Sequence, residues 1–231
     1  MGLRSRPESL AVASLLAATG GFLDAYTFLA RGGVLAAAQT GNVVLLAVAA
    51  AGGEVAKALG HVPSLLAFLA GVLLTEVVGG PRWRRLLRRP VRAVLLLQVA
   101  VLVAVGFVPA APAGAPATAV ASAGVAFAAA MQLNVFRSVR GMTYATTFAS
   151  GNLRSFVEKT YAVLRRRGDR EVAGRQARDI SAVLTCFVAG AFAGALSTDA
   201  WGVRAVWLGV VLLLAVLALV VSETRRLERA A

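Results

Sequence analysis

Apolar residues along the chain gather into eight stretches, at residues 10–29, 43–51, 62–79, 93–108, 117–136, 143–164, 180–197 and 203–221. An α-helix rises ~1.5 Å per residue and a bilayer core is ~30 Å thick, so a stretch of close to 20 apolar residues reads as a membrane-spanning helix. Residues 10–29, 62–79, 93–108, 117–136, 180–197 and 203–221 fit that reading. The 43–51 stretch is short, and 143–164 is interrupted by Arg154, Glu158 and Lys159.

Composition and charge decide between eight crossings and six. Apolar residues make up 58% of the 231 and charged residues 15%, yet the formal net charge is +13; the mean hydropathy is +0.75. A soluble basic domain needs an ordinary polar surface, which this composition lacks. The basic residues are nearly all arginine and fall between the apolar stretches. Arg4 and Arg6 come first, then Arg82, Arg84, Arg85, Arg88, Arg89 and Arg92, then Arg165, Arg166, Arg167, Arg170, Arg175 and Arg178, and finally Arg225, Arg226 and Arg229. Eight crossings from a cytoplasmic N-terminus place the Arg82–Arg92 cluster outside, against the positive-inside rule. If 43–51 and 143–164 do not cross, six spans leave every cluster and both termini on the cytoplasmic side. The same assignment explains the charge without a nucleic-acid partner, for which no recognisable module is present. Arg4 and Arg6 ahead of residues 10–18 look like a cleavable signal, but the apolar run continues to residue 29 and is read as a retained span.

The two halves of the chain repeat. Asp24-Ala-Tyr-Thr-Phe followed by Gln39-Thr-Gly-Asn-Val matches Asn134-Val-Phe-Arg-Ser followed by Ala149-Ser-Gly-Asn-Leu at a spacing of 110. Phe68-x-x-Gly71 resembles Phe187-x-x-Gly190, and Arg92-Ala-Val resembles Arg204-Ala-Val. Four matches in order indicate duplication. Residues 9–108 and 117–222 then form one membrane domain of two repeats. Three spans per repeat give the halves opposite orientation, the inverted arrangement that places binding sites near the midplane. The expected fold is an all-α integral membrane protein of six spans, with a broken or re-entrant Thr/Ser-Gly-Asn element in each half.

Irregular backbone survives in a membrane only against protein or a water-filled cavity. Thr40, Asn42, Ser150 and Asn152 are N-cap residue types, and Gly41 and Gly151 permit a tight turn. Two short helices starting at the midplane would aim their positive N-terminal ends at one polar centre. Small polar residues also pack helices together without binding anything, so a structural role stands beside the functional one. Asp24, deep in an apolar span, is costly unless functional or paired. It is expected to serve as proton acceptor, cation ligand or cap, or to hydrogen-bond Thr40 or Asn42. Asn134, its counterpart, cannot titrate. The candidate solute-binding set is Asp24, Gln39, Thr40, Gly41, Asn42, Gln132, Asn134, Ser150, Gly151 and Asn152; Gln98 is a further uncharged candidate. Glu76 is read as an interfacial ion-pair partner for Arg82. The Gly190-x-x-x-Gly194 face is suited to close packing within the chain or between two copies, as in a homodimer. Trp83, Trp201 and Trp207 fall near span ends, as interfacial anchors do. His61 and Cys186 stand alone, without metal-ligand spacing. No phosphate loop or nucleophile–base pair supports an enzyme or a cofactor.

Gly-Phe-Leu-Asp-Ala (Gly21 to Ala25), Gly32-Gly33, Gln-Thr-Gly-Asn-Val (Gln39 to Val43) and Thr-Thr-Phe-Ala-Ser-Gly-Asn-Leu (Thr146 to Leu153) resemble the YoaK family of bacterial membrane proteins, over roughly residues 10–221. The resemblance implies a multi-span protein of the bacterial inner membrane and supplies no substrate. Taken together, these features lead to the expectation of a transporter or channel for a small polar or anionic solute. The alternative is a non-transporting scaffold or regulatory subunit acting through the cytoplasmic arginine loops.

Overall fold

The structure is a computed structural model, described here at residues 9–87, 89–136, 138–139, 142–143, 149–165 and 169–230. Arg4, Arg6, Arg88, Arg137, Arg166, Arg167 and residues 144–148 lie outside the described residues, as do the side chains of Arg84 and Arg85. The described chain is helical apart from a two-residue antiparallel pairing of Ser138–Val139 with Met142–Thr143. The helices are α1 (Leu10–Ala30), α2 (Gln39–Ala51), α3 (Val55–Val78), α4 (Pro81–Leu86), α5 (Pro90–Gly106), α6 (Pro116–Val135), α7 (Ala149–Leu164), α8 (Arg170–Trp201) and α9 (Val206–Ala230).

Their starts follow from local chemistry. Ser9 caps α1 by accepting from Val12 N–H at 3.3 Å, and Asp169 caps α8 by accepting from Glu171 and Val172 N–H. Pro81, Pro90 and Pro116 sit in the first turns of α4, α5 and α6, where a missing N–H costs nothing. Two boundaries differ from the sequence pattern. Helix α3 begins at Val55 rather than near residue 62, because Pro63 removes one internal hydrogen bond without ending the helix. Helix α2 begins at Gln39 with Ala38 as its N-cap and no side-chain cap. Thr40, Gly41 and Asn42 therefore lie inside its first turn, and the expectation that Thr40 or Asn42 caps it is corrected.

Four stretches are long and apolar enough to cross a membrane: Leu10–Ala30, Val55–Val78, Pro116–Val135 and Arg170–Arg226. The last holds both α8 and α9, and the chain turns between them through Gly202, whose φ is +56°. Pro90–Gly106 and Gln39–Ala51 are shorter apolar helices. The protein is thus a multi-pass membrane protein in contact with the bilayer. Its surface agrees, since Leu59, Leu66, Leu69 and Leu73 on α3 and Val188, Phe192 and Leu196 on α8 are all more than half exposed. Burial is 67% for the spans of α1 and α6, against 28% for α3 and 33% for the α8–α9 stretch. Helices α1 and α6 are therefore the inner pair.

Small residues let the inner helices approach their partners. A methyl group added at Gly190 would overlap the Ala18 carbonyl, and one at Gly194 would meet the Phe22 carbonyl oxygen at 2.6 Å. Ala18 with Gly190 and Phe22 with Gly194 run in the same order, so α1 and α8 are parallel. Likewise a methyl at Gly71 would lie 2.6 Å from the Phe127 carbonyl oxygen, and Thr75 meets Asn134, so α3 and α6 are parallel. The two pairs oppose each other. Gly32 after α1 packs on Thr118 at the start of α6, while Leu16 accepts from Gln132 near the end of α6.

The Gly190 and Gly194 face is filled by α1 of the same chain and is buried. A homodimer through that face is corrected, because no surface is left there for a second copy. At one end of the bundle Ser9 donates to Glu223 and Arg89 pairs with Glu228 at 3.1 Å. Arg92, Arg170, Arg225 and Arg226 lie on helix turns at this end, hereafter the basic end. The other end carries the turns around Gly32, Pro112 and Gly202.

Gly190→Val should destabilise the protein by about 2 kcal/mol or more, through overpacking against Ala18. Gly60→Ala, where an added methyl meets nothing within 4 Å, should be neutral or better. Thermal unfolding of the two variants in detergent checks this; equal melting temperatures would refute the packing role of Gly190.

Candidate functional site

The site grows from a chain reversal. Helix α1 ends at Ala30, and Gly32 and Gly33 follow with φ of +83° and +76°. That left-handed backbone is open to glycine at little cost, and it sends residues 34–38 back down alongside α1. Val34, Ala36 and Ala37 are buried there in non-helical backbone. In a membrane each of their polar groups needs a partner.

Three polar side chains supply those partners. The Asp24 carboxylate accepts from Ala37 N–H at 2.7 Å, and the backbone N–H groups of Ala36 and Ala38 are also directed at it. Asn42 reaches back to Leu35 from both sides of its amide: Oδ1 accepts from Leu35 N–H at 2.8 Å, and Nδ2 donates to Leu35 C=O at 2.7 Å. Gln39 Nε2 donates to Ala36 C=O at 2.8 Å, while its Oε1 accepts from Asn42 Nδ2 at 2.9 Å. Asp24, Gln39 and Asn42 are thereby brought together around one reversed, non-helical segment. The carboxylate stands at the N-terminal end of α2, where the helix dipole favours negative charge. Gly41 lies over Leu35, where a methyl would come within 2.8 Å of its side chain. Thr40 is exposed and takes no part.

Beside this segment Arg31 is fully buried. Its Nε donates to Tyr26 Oη at 2.8 Å, Nη1 to Pro109 C=O at 3.0 Å, and Nη2 to Val108 C=O at 3.0 Å. Tyr26 in turn donates to Val203 C=O at 3.2 Å. Nη2 also reaches Val105 C=O at 3.4 Å, so the guanidinium is set against one carbonyl of the last turn of α5 and two just beyond it, at the negative end of that helix. Sequence reading passed over Arg31. Its signal was a lone arginine between an apolar span and a Gly-Gly turn, away from every basic cluster.

The second half is different. Asn134 is buried on α6, and its Nδ2 donates to Thr75 Oγ1 at 2.7 Å and to Glu76 Oε1 at 2.9 Å. Its Oδ1 has no donor among the described residues. Glu76 belongs with Asn134, an arrangement that sequence reading missed in pairing it with Arg82. Gln132 Nε2 donates to Leu16 C=O at 3.0 Å and ties the two inner helices together. Asn152 is buried, as Asn42 is, whereas Ser150 and Gly151 are exposed. The residues just before α7 are outside the described set.

The two polar groups do not coincide. Leu16 and Gln132 are level on antiparallel helices, and Asp24 and Asn134 lie on opposite sides of that level. At ~1.5 Å per residue they are about 15 Å apart along the bundle. Between α1, α3 and α6, at the end away from the basic clusters, is a cavity of about 430 Å³ lined by Arg31, Lys57, Gly60, Pro63, Thr118 and Ser122 among others. Other buried polar atoms lack protein partners among the described residues: His61 Nδ1 and Ser64 Oγ on α3, Gln98 Nε2 on α5 and Thr198 Oγ1 on α8. Buried groups of this kind call for water, an ion or a ligand.

Asn42→Ala leaves the Leu35 N–H unpaired and its C=O with only the 3.4 Å bond from Gln39 Nε2, and should cost about 2–5 kcal/mol. Thr40→Ala should stay within about 0.5 kcal/mol of the parent, as exposed substitutions do. Denaturation of both variants in detergent tests the assignment, and a stable Asn42→Ala protein would refute it.

Comparison with known proteins gives a single positive finding. The family model described as Protein of unknown function (DUF1275), a YoaK-like membrane family, matches residues 12–219. No curated protein and no solved structure matches.

Proposed function

The chain belongs to the DUF1275 family, and from its re-entrant segment we propose that it is a transporter or channel for a small polar or anionic solute. The observation that carries the reading is the Asp24 carboxylate bonded to backbone N–H groups at the start of α2. A broken helix whose N-terminal end receives an anion within the membrane is the element from which many secondary transporters build their sites. Here a side chain of the protein fills that place. Neutralising or withdrawing Asp24 frees the same N–H groups for an anionic or hydrogen-bonding solute. The polar atoms without protein partners and the cavity beside Arg31 are consistent with a wet path toward that position.

The proposed frame is six spans, α1, α3, α5, α6, α8 and α9, in two inverted halves. Helix packing supports it. Exchanging α1 with α6, α2 with α7, α3 with α8 and α5 with α9 converts each main packed pair into another main pair. Thus α1–α8 becomes α6–α3, α2–α3 becomes α7–α8, and α5–α6 becomes α9–α1. The short helices α2 and α7, at 13 and 16 residues, are the re-entrant elements. The protein sits in the bacterial inner membrane with its basic end in the cytoplasm. The solute then meets the Asp24–α2 position from the outer side and the Asn134–Glu76 position from the inner side.

Two measurements test this reading. Reconstituted in liposomes and challenged with inorganic anions, small carboxylates and amino acids, the protein should move at least one of them. Asp24→Asn, which keeps an acceptor for Ala37, should slow that flux by about tenfold or more without unfolding the protein. No flux for any solute, or full flux by Asp24→Asn, overturns the proposal. In a background lacking Cys186, single cysteines at Gly52 and Pro112 should label from outside and one at Asp169 from inside. Inside labelling of Gly52 overturns the inverted arrangement.

A further inference from the structure

At the basic end, α7 folds back along α8, with Val163 against Gly174. Helix α8 is 32 residues long, about 48 Å at ~1.5 Å per residue, and so overshoots a ~30 Å hydrocarbon core. Its apolar run begins at Ile180. Arg178 therefore stands at the hydrocarbon boundary, Gly174 one turn farther out and Arg170 two turns farther out. This is the depth of the lipid headgroups. Spacing of four residues aligns the three on one face of the helix, and together with Val163 and Glu171 they line an open cleft of about 540 Å³. Glu171 is engaged by Arg175 at 2.8 Å. Among the described residues no carboxylate pairs with Arg170 or Arg178, and both are exposed. Gly174 leaves the floor between them without a side chain.

The neighbouring surface of α7 is apolar and exposed, with the Arg165 guanidinium over the Tyr161 ring at 5.7 Å. Leu153, Val157, Tyr161 and Leu164 are 53%, 63%, 47% and 75% exposed, and their spacing of four, four and three residues makes a single stripe. Because α7 runs antiparallel to α8 from Val163 inward, that stripe descends from headgroup depth into the hydrocarbon. A phosphate site thus adjoins an acyl-chain track.

We propose that this cleft binds an anionic phospholipid of the leaflet at the basic end. Its phosphate lies over Gly174 between Arg170 and Arg178, and one acyl chain runs along the α7 stripe. Charge complementarity selects the occupant. Two guanidiniums with no carboxylate partner among the described residues flank a groove at headgroup depth, where each basic residue adds affinity for acidic lipid, and guanidinium groups match phosphate oxygens bidentately. A zwitterionic lipid brings a like-charged amine into the same groove. The site is independent of what the protein transports, since it requires only the membrane placement.

Native mass spectrometry of the full chain in detergent, titrated with phosphatidylglycerol or phosphatidylcholine, tests the proposal. Phosphatidylglycerol should bind about five-fold or more tighter, and the double variant R170Q/R178Q should reduce it to the phosphatidylcholine level. Gly174→Leu, which fills the cleft and leaves the charge unchanged, should weaken phosphatidylglycerol similarly. R225Q/R226Q removes the same charge elsewhere at the basic end and should bind like the parent. Circular dichroism that matches the parent secures the fold of each variant. Absence of headgroup preference, equal loss in R225Q/R226Q, or undiminished binding to Gly174→Leu overturns the site. Thermal protection by inorganic phosphate equal to that by phosphatidylglycerol overturns the role of the acyl chain.

Discussion

The hydrogen bond from Ala37 N–H to the Asp24 carboxylate is the contact on which the first half of this protein depends. Residues 34–38 turn back along α1 as irregular, largely buried backbone, and each unsatisfied peptide group away from water costs several kcal/mol. Asp24 resolves this by accepting from the donors at the start of α2, and Asn42 and Gln39 take up Leu35 and Ala36. The carboxylate in turn gains what a buried charge requires, namely oriented donors and the positive end of a helix. Neither partner is tolerable alone at this depth.

Around that contact the bundle is assembled from close backbone approach. Lipid gives little hydrophobic drive for helix association, so packing and interhelical hydrogen bonds carry it. Gly190 and Gly194 bring α8 onto α1, and Gly71 brings α3 onto α6. Arg31 then fastens the end of α1 to the carbonyl end of α5, and Tyr26 extends the link to Val203 before α9. The re-entrant segment thus hangs from an inner helix that is fixed on both sides.

The halves share packing but differ in chemistry. Where α1 carries Asp24, α6 carries Asn134, and the acid has moved to Glu76 on the adjoining helix α3. Each polar group keeps one carboxylate, Asp24 on α1 for one and Glu76 on α3 for the other, and Asp24 and Asn134 stand about 15 Å apart along the bundle by helical rise.

Much was legible in the chain itself. Apolar runs between arginine clusters marked the long helices. Asp24 and Asn42 stood out because polar residues in an apolar run are costly unless used. Three features were not legible. Thr40-Gly41-Asn42 looked like a cap and lies within the first turn of α2, since Ala38 starts the helix and Asn42 bonds backward to Leu35. Gly190 and Gly194 offered a face equally suited to a second copy, and only the position of α1 showed it filled. Glu76 looked like a boundary charge and Arg31 drew no reading, yet one meets Asn134 and the other is fully buried against the end of α5. Sequence by itself determined that this is a multi-pass membrane protein, because transfer from water depends on composition and length. Tertiary structure decided which polar groups meet, because that depends on helix direction, depth and packing, which no local pattern encodes.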